Sequence, residues 1–233
     1  MNKLMKSITL IGKKVLSTVL LSLCVTTGFG QHIFNVDPVQ AAEIAAFMKQ
    51  PSAVEGKCNA EVLGIVTTAS EFSWDDINTW KNADGKVWAD GATADYAPTV
   101  FGFGFKKNAP YNGGASWICL ITNKDDDKWN PAIPGVADLK GNFILSNCNA
   151  TTVKIANSQI NTIKICMNNP TEDCYISTKR NSNLEQLDIS GSTGKLRQIE
   201  AYKNKFRDET SLVADNLGEK VLIDWLFNIE NNF

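Results

Sequence analysis

The chain contains one histidine, His32, and that alone limits the chemistry on offer. Nucleophilic catalysis by serine or cysteine needs a base that gives and takes a proton near neutrality, and histidine is the side chain that ordinarily supplies it. His32 lies beside an expected processing site, so Ser-His-Asp and Cys-His hydrolysis are not expected. Paired carboxylates are the other route, to glycoside hydrolysis, and the visible clusters are Asp75/Asp76 and Asp125/Asp126/Asp127. Adjacent residues on a strand face opposite ways, and in a loop they are solvated, so neither cluster makes a convincing acid–base pair. Asp125–Asp127 with Asn123 and Asn130 offers the hard oxygen ligands that calcium takes, but it lacks the D-x-D-x-D-G loop, and a solvated turn is the plainer reading. No Gly-rich loop links a strand to a helix in the way that cradles phosphate. The expectation is a non-enzymatic chain with no cofactor and no metal.

Aromatic residues are the other groups that could bind something. Five of the six tryptophans lie between Trp74 and Trp129. Their rings could stack on sugars, although tryptophans in a small domain more often fill the core. Trp117 and Trp129 border polar or glycine-rich stretches and are the candidates for a glycan-binding alternative.

The composition points to a folded globular chain: 233 residues, 43% hydrophobic, 21% charged, with a formal net charge of −2. That balance leaves no basic excess for nucleic acid. Residues 1–30 carry Lys3, Lys6, Lys13 and Lys14, then an apolar run from Val15 to Val25, then Gly28 and Gly30, with no acid, which is the order of a secretory signal peptide. The apolar run is too short to make a comfortable membrane span. Lipidation of Cys24 is the alternative, disfavoured by Leu23 before it. The exported chain would hold 19 basic and 25 acidic side chains. Its expected place is extracellular or on the outer cell surface, with the periplasm as the alternative. Cys58, Cys119, Cys148, Cys166 and Cys174 remain, an odd count that leaves at least one thiol and the pairing open. No pair has C-x-x-C spacing, and several read as small buried apolar residues.

Two kinds of element position these residues. Asp37-Pro38 followed by Val39, Ala42, Ile44, Ala45, Phe47 and Met48 predicts a capped helix of about three turns ended by Pro51, with Gln40 at the capping-box position. A second, short helix is expected from Ser73, with Asp75 and Asp76 in its first turn. From Thr99 the period becomes two. Phe101, Phe103 and Phe105 alternate with Gly102 and Gly104, and Trp117–Thr122 supplies an antiparallel partner across the loop of Tyr111–Gly114. The phenylalanines read as core, and the glycine face as a place for a close neighbour or a ligand.

Between Leu139 and Phe206 an apolar-x-apolar triplet keeps returning: Phe143/Leu145, Val153/Ile155, Ile163/Ile165, Cys174/Ile176, Leu187/Ile189 and Ile199/Ala201. Two steps together span the length of one solenoid coil, so about three coils are expected. The clearest copy, Leu196-Arg-Gln-Ile199-Glu-Ala201-Tyr-Lys-Asn204-Lys-Phe206, fits L-x-x-L-x-L-x-x-N-x-L. Leu184-Glu-Gln-Leu187-Asp-Ile189 repeats its first half, and Ile160-Asn-Thr-Ile163-Lys-Ile165-Cys-Met-Asn168 carries it through the asparagine. These residues resemble the secreted leucine-rich-repeat proteins of Bacteroidetes-type bacteria, and the resemblance implies an extracellular or surface interaction scaffold.

The fold class expected is therefore α/β: an N-terminal α/β module over 31–138, then a short leucine-rich-repeat solenoid over 139–233. Val221, Leu222, Trp225, Leu226 and Ile229 predict a capping helix at its end, with a strand as the alternative. The middle residue of each triplet points outward, giving one ladder of Ile144, Lys164 and Asp188 and another of Lys154, Tyr175 and Glu200. These ladders are the candidate surface for a protein partner at the cell surface, and a glycan is the alternative partner.

Overall fold

Apolar side chains at every second position drive the repeated segments into strands, because only an extended chain places residues i and i+2 on one face. The computed structural model describes residues 37–86, 101–105, 115–122, 133–169, 172–215 and 222–225. Its strands are β1 (Phe103–Phe105), β2 (Ala115–Ile121), β3 (Lys140–Cys148), β4 (Thr152–Ala156), β5 (Gln159–Met167), β6 (Asp173–Lys179), β7 (Gln186–Asp188), β8 (Lys195–Tyr202), β9 (Leu212–Val213) and β10 (Leu222–Trp225). They form a six-stranded sheet in the order β1-β2-β4-β6-β8-β10 and a four-stranded sheet in the order β3-β5-β7-β9. From β3 to β9 the chain passes from one sheet to the other with each successive strand, and every pair except β1–β2 is parallel. This is the winding of a parallel β-solenoid of about three turns.

The coil length agrees with the triplet spacing. Val153, Ile176 and Ile199 stand in register in the larger sheet, at equal steps along the chain. In the smaller sheet Phe143, Ile163, Leu187 and Leu212 are in register, at steps that lengthen from one coil to the next. Helices are few among the described residues: α1 (Pro38–Lys49), α2 (Asn59–Val62) and three single 3-10 turns. The solenoid of the α/β expectation stands, with strands rather than helices making up most of it. β2 pairs with β4, so the larger sheet runs across the boundary expected at residue 138.

The two sheets bury their inward side chains against each other. Phe143, Leu145, Ile163 and Ile165 from one side, and Val153, Ile155, Ile176 and Ile199 from the other, are fully or almost fully buried. Each such side chain contributes about 1.5–3 kcal/mol of hydrophobic stabilisation.

Each coil leaves the larger sheet through the same turn. Asn157, Arg180 and Lys203 have left-handed backbone, with φ of 61°, 54° and 57°, and recur once per coil at the same interval as Val153, Ile176 and Ile199. The residue that follows each, Ser158, Asn181 or Asn204, is buried. Asn181 Oδ1 accepts from the Ser158 backbone N–H at 3.0 Å and its hydroxyl at 2.8 Å. Its Nδ2 donates to the Ile155 carbonyl at 2.9 Å and to Asn204 Oδ1 at 3.1 Å. Asn204 repeats the arrangement, accepting from the Asn181 N–H at 3.0 Å and donating to the Thr178 carbonyl at 2.9 Å. The asparagines thus satisfy backbone groups where the chain turns inside the core. Asn168 serves the opposite turn, accepting from the Thr193 N–H at 3.2 Å and hydroxyl at 3.0 Å.

α1 forms where its cap and apolar spacing predict. Asp37 accepts from the Gln40 N–H at 2.9 Å, Pro38 opens the helix, and Ile44, Ala45, Phe47 and Met48 are buried. Phe47 meets Phe143 edge-on with centroids 5.0 Å apart. The Gln40 side-chain amide donates to the Asn147 carbonyl at 3.1 Å.

That bond belongs to a larger arrangement on β3, an edge of the smaller sheet. The Gln50 amide accepts from the Asn142 N–H and donates to the Asn142 carbonyl, both at 2.8 Å. The Asn59 amide does the same at Lys140, at 3.1 and 2.8 Å. Glu43 accepts from the Ser146 N–H at 2.9 Å and from its hydroxyl. Side chains from the N-terminal segment thus stand where a neighbouring strand would pair, an edge that no strand among the described residues occupies.

Two expected helices are corrected. The segment from Ser73 is a turn followed by one 3-10 turn at Ile77–Thr79: Ser73 Oγ accepts from the Asp75 N–H at 3.2 Å, and Asp76 accepts from the Asn78 N–H at 3.0 Å. Local side-chain caps of this kind compete with helix propagation. At the other end, Leu222–Trp225 is a strand, β10, with Ile223 opposite Ile199 and Trp225 opposite Ala201. Pairing satisfies the edge of β8, which a helix would have left open.

β1 and β2 form the expected antiparallel pair, with Phe101 and Phe103 fully buried. Gly102 admits a close neighbour rather than a ligand, because a Cβ there would stand 2.6 Å from the Cys119 carbonyl oxygen of β2. Residues 1–30, expected as a signal peptide, together with His32, the Tyr111–Gly114 loop, Asp125–Asp127 and Trp129, lie outside the described residues.

Candidate functional site

The larger sheet turns one face inward to the core; its other face is buried at Cys119, Ile121 and Ala156 and opens to the surface at Tyr175. One rung runs from Trp117 through Thr152 and Tyr175 to Gln198. The next runs from Cys119 through Lys154 and Ser177 to Glu200. The ladder expected to unite Lys154, Tyr175 and Glu200 is therefore offset by one rung. The β4–β6 register sets Lys154 opposite Ser177, and Ser177 in turn stands opposite Glu200, so Ser177 and not Tyr175 lies between them. The sheet still brings all three together around a surface hollow of about 300 Å³ that Thr152, Ser177 and Gln198 also line.

Tyr175 is 42% exposed and is the one large hydrophobic side chain exposed on this sheet among the described residues. The polar wall beside it is pre-set. Glu200 Oε2 holds Lys179 Nζ at 2.7 Å and accepts from Ser177 Oγ at 3.1 Å, while Oε1 accepts from Gln198 Nε2 at 3.1 Å. Burial pushes the Glu200 carboxyl up, but the hydrogen bond and charge of Lys179 outweigh it, and the net pKa lies below the ordinary glutamate value. Lys179, whose ammonium also sits 4.9 Å from the Tyr202 ring centre, is lowered by burial and raised by Glu200, with a net increase. Both groups stay charged at neutral pH.

The other predicted ladder keeps its register, with Ile144, Lys164 and Asp188 side by side across β3, β5 and β7. Its charges serve each other. Lys164 Nζ lies 2.7 Å from Asp188 Oδ2, and Asp188 Oδ1 accepts from the Ser190 N–H and hydroxyl at 2.9 and 2.6 Å. The Asp188 hydrogen bond raises the Lys164 pKa; burial raises that of Asp188, but the Lys164 and Ser190 hydrogen bonds carry it below its ordinary value. Ile144 is 43% exposed, on the edge strand whose backbone Gln50 and Glu43 already engage.

The remaining chemical candidates do not converge. Cys58, Cys119, Cys148, Cys166 and Cys174 are free thiols. Burial pushes Cys148 up to about 12 and also raises Cys166, whose Sγ donates to the Ser190 carbonyl at 3.0 Å. Thiols held protonated in this way are poor nucleophiles and poor metal ligands. Among the described residues no group of three His, Cys, Asp or Glu side chains is placed to hold a metal ion. The Asp76 carboxylate caps its own turn.

Trp74 and Trp80 pack edge-on with centroids 6.1 Å apart, with Trp80 fully buried. Trp117 falls by backbone register on the Tyr175 rung, two strands away. Thr152, Ser177 and Gln198 are lining residues that the triplet pattern does not single out. Aligning the coils on the turns at Asn157, Arg180 and Lys203 would have found them, because those turns fix the offset between successive coils.

No helix among the described residues is long and apolar enough to cross a membrane. No protein-family model, curated protein or solved structure matches the chain.

Proposed function

We propose that the protein is an exported, non-enzymatic binding scaffold whose ligand surface is the outer face of the six-stranded sheet. The observation that carries this reading is the hollow around the exposed Tyr175, walled by the fixed polar groups of β6 and β8. Parallel coils stacked on one another give such a face rigidity, and repeat proteins present partners with surfaces of this kind. A leucine-rich-repeat type of coil is supported by the run from Leu196 to Phe206, in which Leu196, Ile199, Ala201, Asn204 and Phe206 are all buried.

The test is retention of the purified protein on isolated envelopes of the producing cell. Lys154→Glu, on the hollow, is expected to weaken retention about fivefold or more, the size of effect a contact residue commonly has. Lys164→Glu, on the opposite sheet, is expected to leave it unchanged. Equal effects of the two would place binding elsewhere.

A further inference from the structure

The chemistry of the hollow narrows the class of ligand, and this step rests on the scaffold reading above. A tyrosine ring is an amphipathic platform that packs flat against an apolar C–H surface at small entropic cost. Beside Tyr175 stand an amide, a hydroxyl and a carboxylate, from Gln198, Ser177 and Glu200, already tied to one another at 3.1 Å. Carboxylate and amide oxygens each have lone pairs to spare, and the amide nitrogen a second proton, so the wall can both donate and accept. The Glu200 charge is answered at 2.7 Å by Lys179, and Lys154, which also lines the hollow, adds an ammonium able to donate to a sugar hydroxyl.

A protein partner of ordinary interface size would bury about 800 Å² on each side around an apolar centre. Tyr175 is a single exposed ring in polar surroundings, which is a poor centre for such an interface. A pyranose fits better, since it has one C–H face to lie on the ring and hydroxyls around its rim for the amide, hydroxyl and carboxylate. A volume of about 300 Å³ is at the small end of ligand sites. We propose that this hollow binds a neutral oligosaccharide, with one ring on Tyr175 and hydroxyls held by Gln198, Ser177 and Glu200.

Isothermal titration of the full chain against neutral gluco-, manno-, xylo- and galacto-hexasaccharides, with a hyaluronan hexasaccharide as the acidic control, tests this. Saturable binding of at least one neutral sugar is expected, weakened about tenfold or more by Tyr175→Ala and largely kept by Tyr175→Phe. Gln198→Ala is expected to weaken it less, and circular dichroism checks that each variant folds. The absence of binding by every neutral sugar, preference for the acidic one, or affinity unchanged in Tyr175→Ala would overturn the proposal. The envelope assay separates that failure from failure of the scaffold. If Tyr175→Ala releases the protein from envelopes while no neutral sugar binds, the partner is a protein or a charged glycan and the scaffold stands. If neither assay responds to Tyr175→Ala, both readings fall.

Discussion

Replacing Asn181 with alanine is expected to destabilise the protein by roughly 3–5 kcal/mol, measured as a fall in the urea midpoint at unchanged slope. The side chain is 0% exposed and is engaged with Ser158, Ile155 and Asn204, serving three successive coils at once. Alanine would leave the Ser158 N–H and the Ile155 carbonyl without this partner in an interior where water cannot replace it. Asn204→Ala is expected to act in the same direction. The double variant is expected to lose less than the sum, because the two side chains share the Asn181–Asn204 bond. A loss below about 1 kcal/mol for Asn181→Ala would mean that these turns do not hold the coils together.

Gly135→Ala is the second large effect, at roughly 2–5 kcal/mol, from two causes that add. Gly135 has φ of 83°, a conformation in which an L-residue is strained, and a Cβ there would stand 1.8 Å from the Val62 carbonyl oxygen. Both sides of that contact are backbone, so no rotamer change relieves it, and either the loop or the end of α2 must move. The consequence reaches further, because Asn59 of α2 closes the edge of β3 at Lys140. Gly64→Ala is the control, since Gly64 has φ of 88° but nothing within 4 Å of a new Cβ. It should show the conformational cost alone, about 1–2 kcal/mol. Thermal unfolding of the two variants side by side checks the difference, and equal midpoints would contradict it.

These expectations depend on contacts that the sequence reveals unevenly. The solenoid was legible because its apolar pairs return at intervals that sum to one coil, and the strand pairs carry them in register. One triplet misled. Cys174 is apolar and Thr178 is polar, so the pattern selects Cys174/Ile176, whereas the sheet aligns Ile176/Thr178 with Val153/Ile155. Thr178 is 0% exposed, and its polarity is absorbed within the turn, where Asn204 Nδ2 lies 3.5 Å from its hydroxyl.

The C-terminal apolar run has helical spacing, with a strand as the alternative, and the need to pair the edge of β8 decides for the strand at Leu222–Trp225. At Ser73 the aromatic spacing suggests a helix, but Ser73 and Asp76 bind backbone N–H groups locally and stop it. In the candidate site, Tyr175 and Glu200 were visible as outward-facing residues. The hollow between them was not, because it depends on the relative register of strands from successive coils.

If the outer face of the six-stranded sheet carries the ligand, the two large exposed apolar side chains among the described residues of the solenoid must behave differently. Tyr175 and Ile144 are exposed to nearly the same degree, 42% and 43%, on opposite sheets, so alanine at either removes a comparable surface side chain. The decisive measurement is the affinity of Tyr175→Ala and Ile144→Ala, side by side with the parent chain, for the neutral hexasaccharide panel. The predicted result is loss of binding with Tyr175→Ala and parental affinity with Ile144→Ala. Loss with Ile144→Ala and retention with Tyr175→Ala would contradict it.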